Sequence, residues 1–254
     1  MTKLEAKNIV KYFNHDSHKL KALGGINLKV DAGDFVCLVG PSGCGKSTFL
    51  RIIAGLETPD EGQILFDGHP VTETGPERIM VFQEGALFPW LKVQDNVEFG
   101  LKMAGIPKDE RAKISNRYLD MMQLTKFADS YTYQLSTGMK QRVAIARALV
   151  MDPDVLLMDE PFAALDPQTR DLLLVEMQLI WEKTKKTILF VTHNVAEATV
   201  LGTKVVVFSN RPSIIKKEFE NDFPRPRVTE DESLLKFQQK ILAELRPEVK
   251  KSKE

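Results

Sequence analysis

The segment Gly40-Pro41-Ser42-Gly43-Cys44-Gly45-Lys46-Ser47 places Gly40, Gly45, Lys46 and the Ser47 hydroxyl at the spacing of a phosphate cradle, and Thr48 follows directly. Glycines let the backbone curl so that successive N–H groups converge on an anion, and a helix beginning there adds its positive end. Lys46 supplies a point charge for β- and γ-phosphates, and the Ser47 hydroxyl is a Mg²⁺ ligand. Two carboxylates, Asp159 and Glu160, follow the apolar run Val155-Leu156-Leu157-Met158. Asp159 is suited to hold Mg²⁺ through water, and Glu160 to polarise an attacking water as general base. His193 ends Ile188-Leu189-Phe190-Val191-Thr192. A neutral imidazole there can hydrogen-bond a γ-phosphate and the attacking water. Gln83, after Ile79-Met80-Val81-Phe82, offers an amide oxygen to Mg²⁺ or water. The chemistry these residues suit is hydrolysis of a nucleoside triphosphate.

Each of these features has an ordinary reading by itself. A lone histidine is most often structural, and an Asp-Glu pair is as readily a solvated strand end. Their meaning depends on the elements that carry them. Phe35-Val36-Cys37-Leu38-Val39 is a continuous apolar run, the mark of a strand buried on both faces, and it runs into the glycine loop. The stretch Thr48 to Leu56 reads as a helix, which completes the strand, glycine loop, helix order. The runs at 155–158, 188–191 and 205–208 read as further parallel strands, with 63–66 and 79–82 as additional strands. Ligands gather at the carboxyl ends of parallel strands, so Asp159, Glu160 and His193 are expected on one sheet edge beside the glycine loop.

The first thirty residues alternate apolar and polar, as in Ile26-Asn27-Leu28-Lys29-Val30, and predict antiparallel strands. From about Asp95 to Phe127 the pattern turns helical, and a further helix is expected from Ser136 to about Met151. Asp166-Pro167 has the capping carboxylate and first-turn proline of another helix start. The expected fold is α/β: a P-loop core with a mostly parallel sheet, an N-terminal antiparallel β subdomain and a helical subdomain. The expected division is 1–228 for this domain, with the helical subdomain at about 95–150, and 229–254 for a polar tail with an amphipathic helix around Leu234 to Leu245.

At 254 residues the chain is long enough for a core without disulfide or metal staples. Its 35 basic and 35 acidic residues cancel, so no basic field favours nucleic acid. Cys37 falls in a buried strand and Cys44 in the glycine loop, which argues against a disulfide and for a reducing compartment. The opening residues, Met1 to Lys7, have no apolar core and no cleavage site, so no signal peptide is expected. No run of eighteen apolar residues is free of charge, so a membrane process would need another subunit to span the bilayer.

One segment separates this chain from most P-loop enzymes. Leu135-Ser136-Thr137-Gly138-Met139-Lys140-Gln141-Arg142 opens a helix on a serine cap, with Gly138 leaving backbone N–H groups uncovered. Locally it is only a helix N-terminus. In order with the glycine loop, Gln83, Asp159-Glu160 and His193, it resembles the signature of the ATP-binding subunits of ABC transporters, and the resemblance covers nearly the whole chain. It implies a head-to-tail homodimer in which Ser136 and Gly138 meet the γ-phosphate of the ATP held by the opposite chain. Asp166, in Ala163-Ala164-Leu165-Asp166, matches the family's subunit-crossing loop. The family usually has glycine where this chain has Thr137. It also implies an aromatic residue stacked on adenine; Phe13 occupies that position, with Tyr12 as the adjacent competitor.

Fusion to membrane helices is usual in exporters, whereas importers often keep this domain separate. Glu84-Gly85-Ala86-Leu87-Phe88-Pro89-Trp90-Leu91, Asn210-Arg211-Pro212 and Pro224-Arg225-Pro226-Arg227 resemble the nitrate, sulfonate and taurine branch of importer ATPases. That likeness implies ATP and Mg²⁺ as cofactors, a permease docking near Gln83–Leu91, an extracytoplasmic solute-binding protein, and a peripheral place on the cytoplasmic face of the inner membrane. The other reading is a soluble ABC ATPase acting on DNA or the ribosome. Such proteins carry two cassettes or a long coiled coil, and this chain has neither.

Overall fold

A computed structural model describes residues 1–15, 18–83 and 85–251. In chain order the elements are β1 (Thr2–His15), β2 (His18–Asp31), β3 (Phe35–Val39), α1 (Lys46–Ile53), β4 (Glu61–Phe66), β5 (His69–Pro70) and β6 (Arg78–Val81). Next come α2 (Val93–Met103), α3 (Lys108–Met121), α4 (Thr137–Leu149), β7 (Val155–Asp159) and α5 (Pro167–Thr184). The last are β8 (Thr187–Val191), α6 (Val195–Leu201), β9 (Lys204–Phe208), β10 (Ile215–Glu220) and α7 (Glu232–Lys251).

The larger sheet has the order β10-β9-β3-β8-β7-β6. Its strands β9, β3, β8, β7 and β6 are parallel, and β10 closes the edge antiparallel to β9. Side chains alternate across it. Phe35, Cys37, Val39, Leu156, Met158, Ile188 and Phe190 enter a core shared with the helices, while Val36, Leu38, Val155, Leu157, Leu189 and Val191 enter a second core. Both faces are covered, which is why these strands read as unbroken apolar runs rather than as alternation. The second core is closed by α1 and by the smaller antiparallel sheet, β2-β1-β4-β5.

The parallel strands and the N-terminal antiparallel pair follow the sequence pattern. The edge strand β10 was not signalled, because Lys216, Lys217 and Glu218 give it the charged, half-exposed face of an edge. The seven-residue α6 is hidden in an apolar stretch too short to show a helical period. Helix α1 is shifted from the expected Thr48–Leu56: it begins at Lys46 and stops at Ile53. Gly55 ends it with a φ of +75°, and a Cβ there would lie 2.2 Å from the Glu73 carbonyl oxygen.

Helices α2, α3 and α4 pack on one another and, through α4, on β6. Glu98 holds them together, accepting from Gln94 Nε2 at 2.7 Å and Ser115 Oγ at 3.0 Å, with Arg111 Nε at 3.4 Å. Helix α7 brings Phe237, Ile241 and Leu245 into the helix-side core, against α6, β9 and β10.

The Pro224-Arg225-Pro226-Arg227 segment has a structural role of its own. Arg227 is only 4 % exposed. Its guanidinium donates to the carbonyls of Gly202 at 2.6 Å, Asn221 at 2.8 Å and Phe223 at 2.8 Å. Arg225 donates to the carbonyls of Val200 and Leu201 and stacks on the Trp181 ring 4.5 Å away. Two guanidinium groups thus satisfy the carbonyl end of α6, where cationic charge complements the helix dipole. Burial and the neighbouring Arg225 lower the Arg227 pKa to about 10.

Candidate functional site

Strand β3 delivers the glycine loop to the carboxyl edge of the sheet. Gly40 packs so closely on Phe208 that a Cβ would sit 2.9 Å from the Phe208 Cβ. Gly45, at φ +109°, is the residue before α1, a conformation closed to side chains of ordinary residues. No acidic residue lies in the first turn of α1, so its positive end is not offset. Lys46 is buried, and its Nζ donates to the carbonyls of Gly40 and Pro41, both at 2.9 Å. Ser42 and Gly43 are exposed at the tip, while Cys44 lies beneath with its Sγ 3.7 Å from Lys46 Nζ. Thr48 lies half-buried in the first turn of α1.

Across 112 positions of sequence, Ser47 Oγ donates to Asp159 Oδ1 at 2.7 Å. This sets a hydroxyl and a carboxylate, both hard oxygen donors, side by side, the donor chemistry that Mg²⁺ requires. Burial pushes the Asp159 carboxyl above its ordinary value of 3.8; the Ser47 hydrogen bond opposes that shift and the neighbouring Glu160 charge adds to it.

Parallel pairing of β7 with β8 puts Asp159 beside Val191, and Glu160 N–H donates to Val191 O at 3.0 Å. Glu160 has φ +45°, a conformation that non-glycine residues adopt at a cost and that recurs at functional sites. The turn presents its carboxylate to His193, whose Nδ1 lies 3.0 Å from Glu160 Oε2. A carboxylate only accepts, so Nδ1–H donates to it. In the neutral ring Nε2 is then an acceptor, fit to take a hydrogen bond from water; the imidazolium form donates from both nitrogens. Gln83 is exposed two residues past Val81, which pairs with Met158 at the same edge. Glu84 lies outside the described residues.

Three residues without a sequence signal connect these parts. Thr192 Oγ1 donates to Glu197 Oε2 at 2.6 Å and accepts from Asn194 N at 3.0 Å. Glu197 Oε1 lies 3.3 Å from Arg170 Nε, and Arg170 Nη2 donates to Leu165 O at 2.9 Å. The histidine loop is thereby tied to the loop that ends at Asp166. Burial raises the Glu197 pKa above 4.5. A spacing of four residues from His193 to Glu197, and from Asp166 to Arg170, is the trace they leave in the sequence.

The family model described as ABC transporter matches residues 23–163, from within β2 to just past Glu160. The chain is an ATP-binding member of the ABC transporter family. It is 50 % identical over 250 residues to an ABC transporter ATP-binding protein of Methanocaldococcus jannaschii, covering 98 % of this chain and 94 % of that protein. It is 47 % identical to the nitrate import ATP-binding protein of a Synechocystis species, covering 89 % of this chain and 85 % of the relative. With the aliphatic sulfonates import ATP-binding protein of Bacillus cereus it shares 43 % identity over 92 % of each chain. A solved ATP-binding cassette, dimeric and bound to ADP and Pi after hydrolysis, superposes with a TM-score of 0.76 at 31 % identity, over 87 % of this chain and 100 % of that one.

The ABC signature segment sits apart from the glycine loop, on the helical layer. Ser136 caps α4, accepting from Met139 N at 3.3 Å, and is exposed. Thr137 is the exposed first residue of that helix. Gly138 is pressed onto α5, where a Cβ would lie 2.4 Å from Thr169 Cγ2. Asp166 caps α5, accepting from Thr169 N at 3.0 Å, and that backbone hydrogen bond lowers its pKa. On β1 the two aromatic candidates point to opposite faces. Phe13 has an exposed ring with Lys11 Nζ 5.6 Å from its centroid, whereas Tyr12 is covered by Lys19 Nζ at 4.3 Å.

Beyond Gln83 the ABC cassette presents an apolar surface on a braced loop. Asn96 is fully buried and grips the Phe88–Lys92 turn, accepting from Phe88 N at 2.9 Å and donating to the carbonyls of Phe88, Leu91 and Lys92 at 3.1 Å. Arg147 donates to the carbonyls of Gly85 and Ala86. Leu87 packs on the core, Pro89 is exposed and Trp90 is 70 % exposed. The ring of Phe88 lies 4.4 Å from Phe99, beside a groove lined by Phe82, Ala144, Ala148 and Met151. No helix among the described residues is long and apolar enough to cross a membrane.

Proposed function

We propose that this chain is the ATP-hydrolysing subunit of an ABC import system for nitrate, sulfonate, taurine or a related small solute. The family and the import relatives support the system, and the pairing of Glu160 with His193 beside Ser47 and Asp159 supports the chemistry. ATP lies along Gly40, Pro41, Ser42, Gly43, Cys44, Gly45, Lys46, Ser47 and Thr48, with adenine on Phe13. Lys46 leaves the Gly40 and Pro41 carbonyls for the β- and γ-phosphates. Ser47 and Gln83, with Asp159 through water, would hold Mg²⁺, which would supply charge neutralisation at the phosphate oxygens.

Glu160 accepts a proton from water as its oxygen bonds to the γ-phosphorus and the β–γ bridge breaks, giving ADP and phosphate. His193 hydrogen-bonds the attacking water and the γ-phosphate. Two copies meet head to tail, so that Ser136, Gly138 and Asp166 complete the partner's site at a helix N-terminus. Residues 1–228 form the cassette, with the helical subdomain at about 95–150, and 229–254 form a C-terminal tail that carries an amphipathic helix. A separate permease sits on the surface from Gln83 to Leu91, with Trp90 as anchor. This places the subunit peripherally on the cytoplasmic face of the membrane, working with an extracytoplasmic solute-binding protein.

The test is Glu160→Gln. General-base removal lowers turnover about 10²- to 10⁴-fold. ATP binding is retained, and ATP converts the variant to a stable dimer. Hydrolysis within a few fold of the parent chain removes the base assignment.

A further inference from the structure

The turn between β9 and β10 touches the phosphate loop from outside, and no motif assigns it a role there. Ser213 in that turn is fully buried, and its Oγ donates to the carbonyl oxygen of Cys44 at 2.6 Å, across 169 positions of sequence. The contact is at the short end of O–H···O hydrogen bonds. Gly40 and Pro41 give their carbonyls to Lys46 within the loop, whereas the Cys44 carbonyl is held by a residue from another element. Across a planar trans peptide the C=O of one residue and the N–H of the next point in opposite directions. Holding the Cys44 carbonyl toward Ser213 therefore turns the Gly45 N–H the opposite way, away from the β9–β10 turn.

Ser213 is itself fixed. Its N–H donates to Ala22 O at 3.0 Å, and its carbonyl accepts from Gly24 N at 2.8 Å, so β2 grips it on both sides of Leu23. Leu23 lies under Gly45, where a Cβ would be 2.8 Å from Leu23 Cδ2. The other end of the turn is held by α7, as Asn210 N donates to Glu248 Oε2 at 3.0 Å. The hydroxyl is thus braced from both the antiparallel sheet and the C-terminal helix.

We propose that Ser213 is a positioning residue for nucleotide binding: it orients the Cys44–Gly45 peptide so that the Gly45 N–H meets the β-phosphate. This rests on the phosphate-site reading above. The experiment is calorimetric titration of ADP into the full-length chain, with ³¹P spectra of the bound ADP. Three forms are compared: the parent, Ser213→Ala, and Ile241→Val as a variant of similar stability cost in the helix-side core, across the sheet from α1. Ser213→Ala is expected to bind ADP about five- to tenfold more weakly, the worth of one hydrogen bond. It should shift the bound β-phosphorus resonance, leave the α-phosphorus resonance in place, and raise KM for ATP more than it lowers kcat. Ile241→Val should bind ADP as the parent does. Parent-like affinity and β-resonance in Ser213→Ala overturn the proposal, as does equal weakening in Ile241→Val. A parent chain that does not bind ADP overturns the phosphate-site reading itself.

Discussion

Asp159 carries a conflict between stability and chemistry. Its carboxyl is buried beside Glu160, and both influences raise its pKa above 3.8. A raised carboxyl pKa means that the folded state binds the proton more tightly than the unfolded chain does. The ionised form therefore destabilises the fold at neutral pH, and that penalty disappears as pH falls below 3.8, where both states are protonated. Asp159→Asn keeps an acceptor for the Ser47 hydroxyl and removes the charge. It is expected to melt at a higher temperature than the parent at pH 7, with the gap narrowing as pH falls toward 3.8, while ATP hydrolysis is lost. Melting curves across pH, read with a phosphate-release assay, check both halves. Glu160 adds a backbone conformation of its own, φ +45°, which makes the functional turn costly in a second way.

Helix α6 is a short strut between the histidine loop and the buried arginines. Its first turn carries Glu197, which holds Thr192 and Arg170; its last carbonyls are held by Arg225 and Arg227. A seven-residue helix has little stability of its own, so its ends must be satisfied by tertiary partners. Arg227→Met keeps the apolar stem and orphans the carbonyls of Asn221 and Phe223, while the Gly202 carbonyl keeps the Asn221 amide as donor. Leaving such groups unpaired costs about 3 kcal/mol in total, or roughly 6–12 °C in melting temperature for a chain of this size. Differential scanning fluorimetry measures it, and a loss under 2 °C would show that water replaces the guanidinium.

In the whole molecule, Ser136 and Gly138 lie on the helical layer, while Lys46, Ser47 and Asp159 lie at the edge of the parallel sheet. In the proposed head-to-tail pair, completion of one site by a second copy makes dimerisation depend on the signature helix. In a Glu160→Gln background, ATP is expected to double the mass measured by light scattering. Adding Ser136→Arg places bulk and positive charge at the exposed start of α4 and should abolish the doubling, with ATP binding per chain unchanged. Dimerisation that survives this change would move the contact elsewhere. The braced Phe88–Trp90 turn belongs to the same scale, since an exposed indole on a rigid loop suits a partner surface.

The sequence by itself determined the buried parallel strands and the chemistry. Unbroken apolar runs marked β3, β7, β8 and β9 because both faces of a parallel sheet are covered, and the glycine spacing marked the phosphate loop because a curled backbone demands it. It also placed Asp159, Glu160 and His193 at strand ends, which their adjacency to those runs makes unavoidable. Only the tertiary structure decided what pairs with what. The Ser47–Asp159 bond spans 112 positions and the Ser213–Cys44 bond 169. Neither leaves a local pattern, because a hydrogen bond between distant segments constrains two residue types without imposing a period on either. The brace of Arg170 and Glu197 was hidden for the same reason, whereas β10 was hidden by its charged, half-exposed face and α6 by a length too short to show a period.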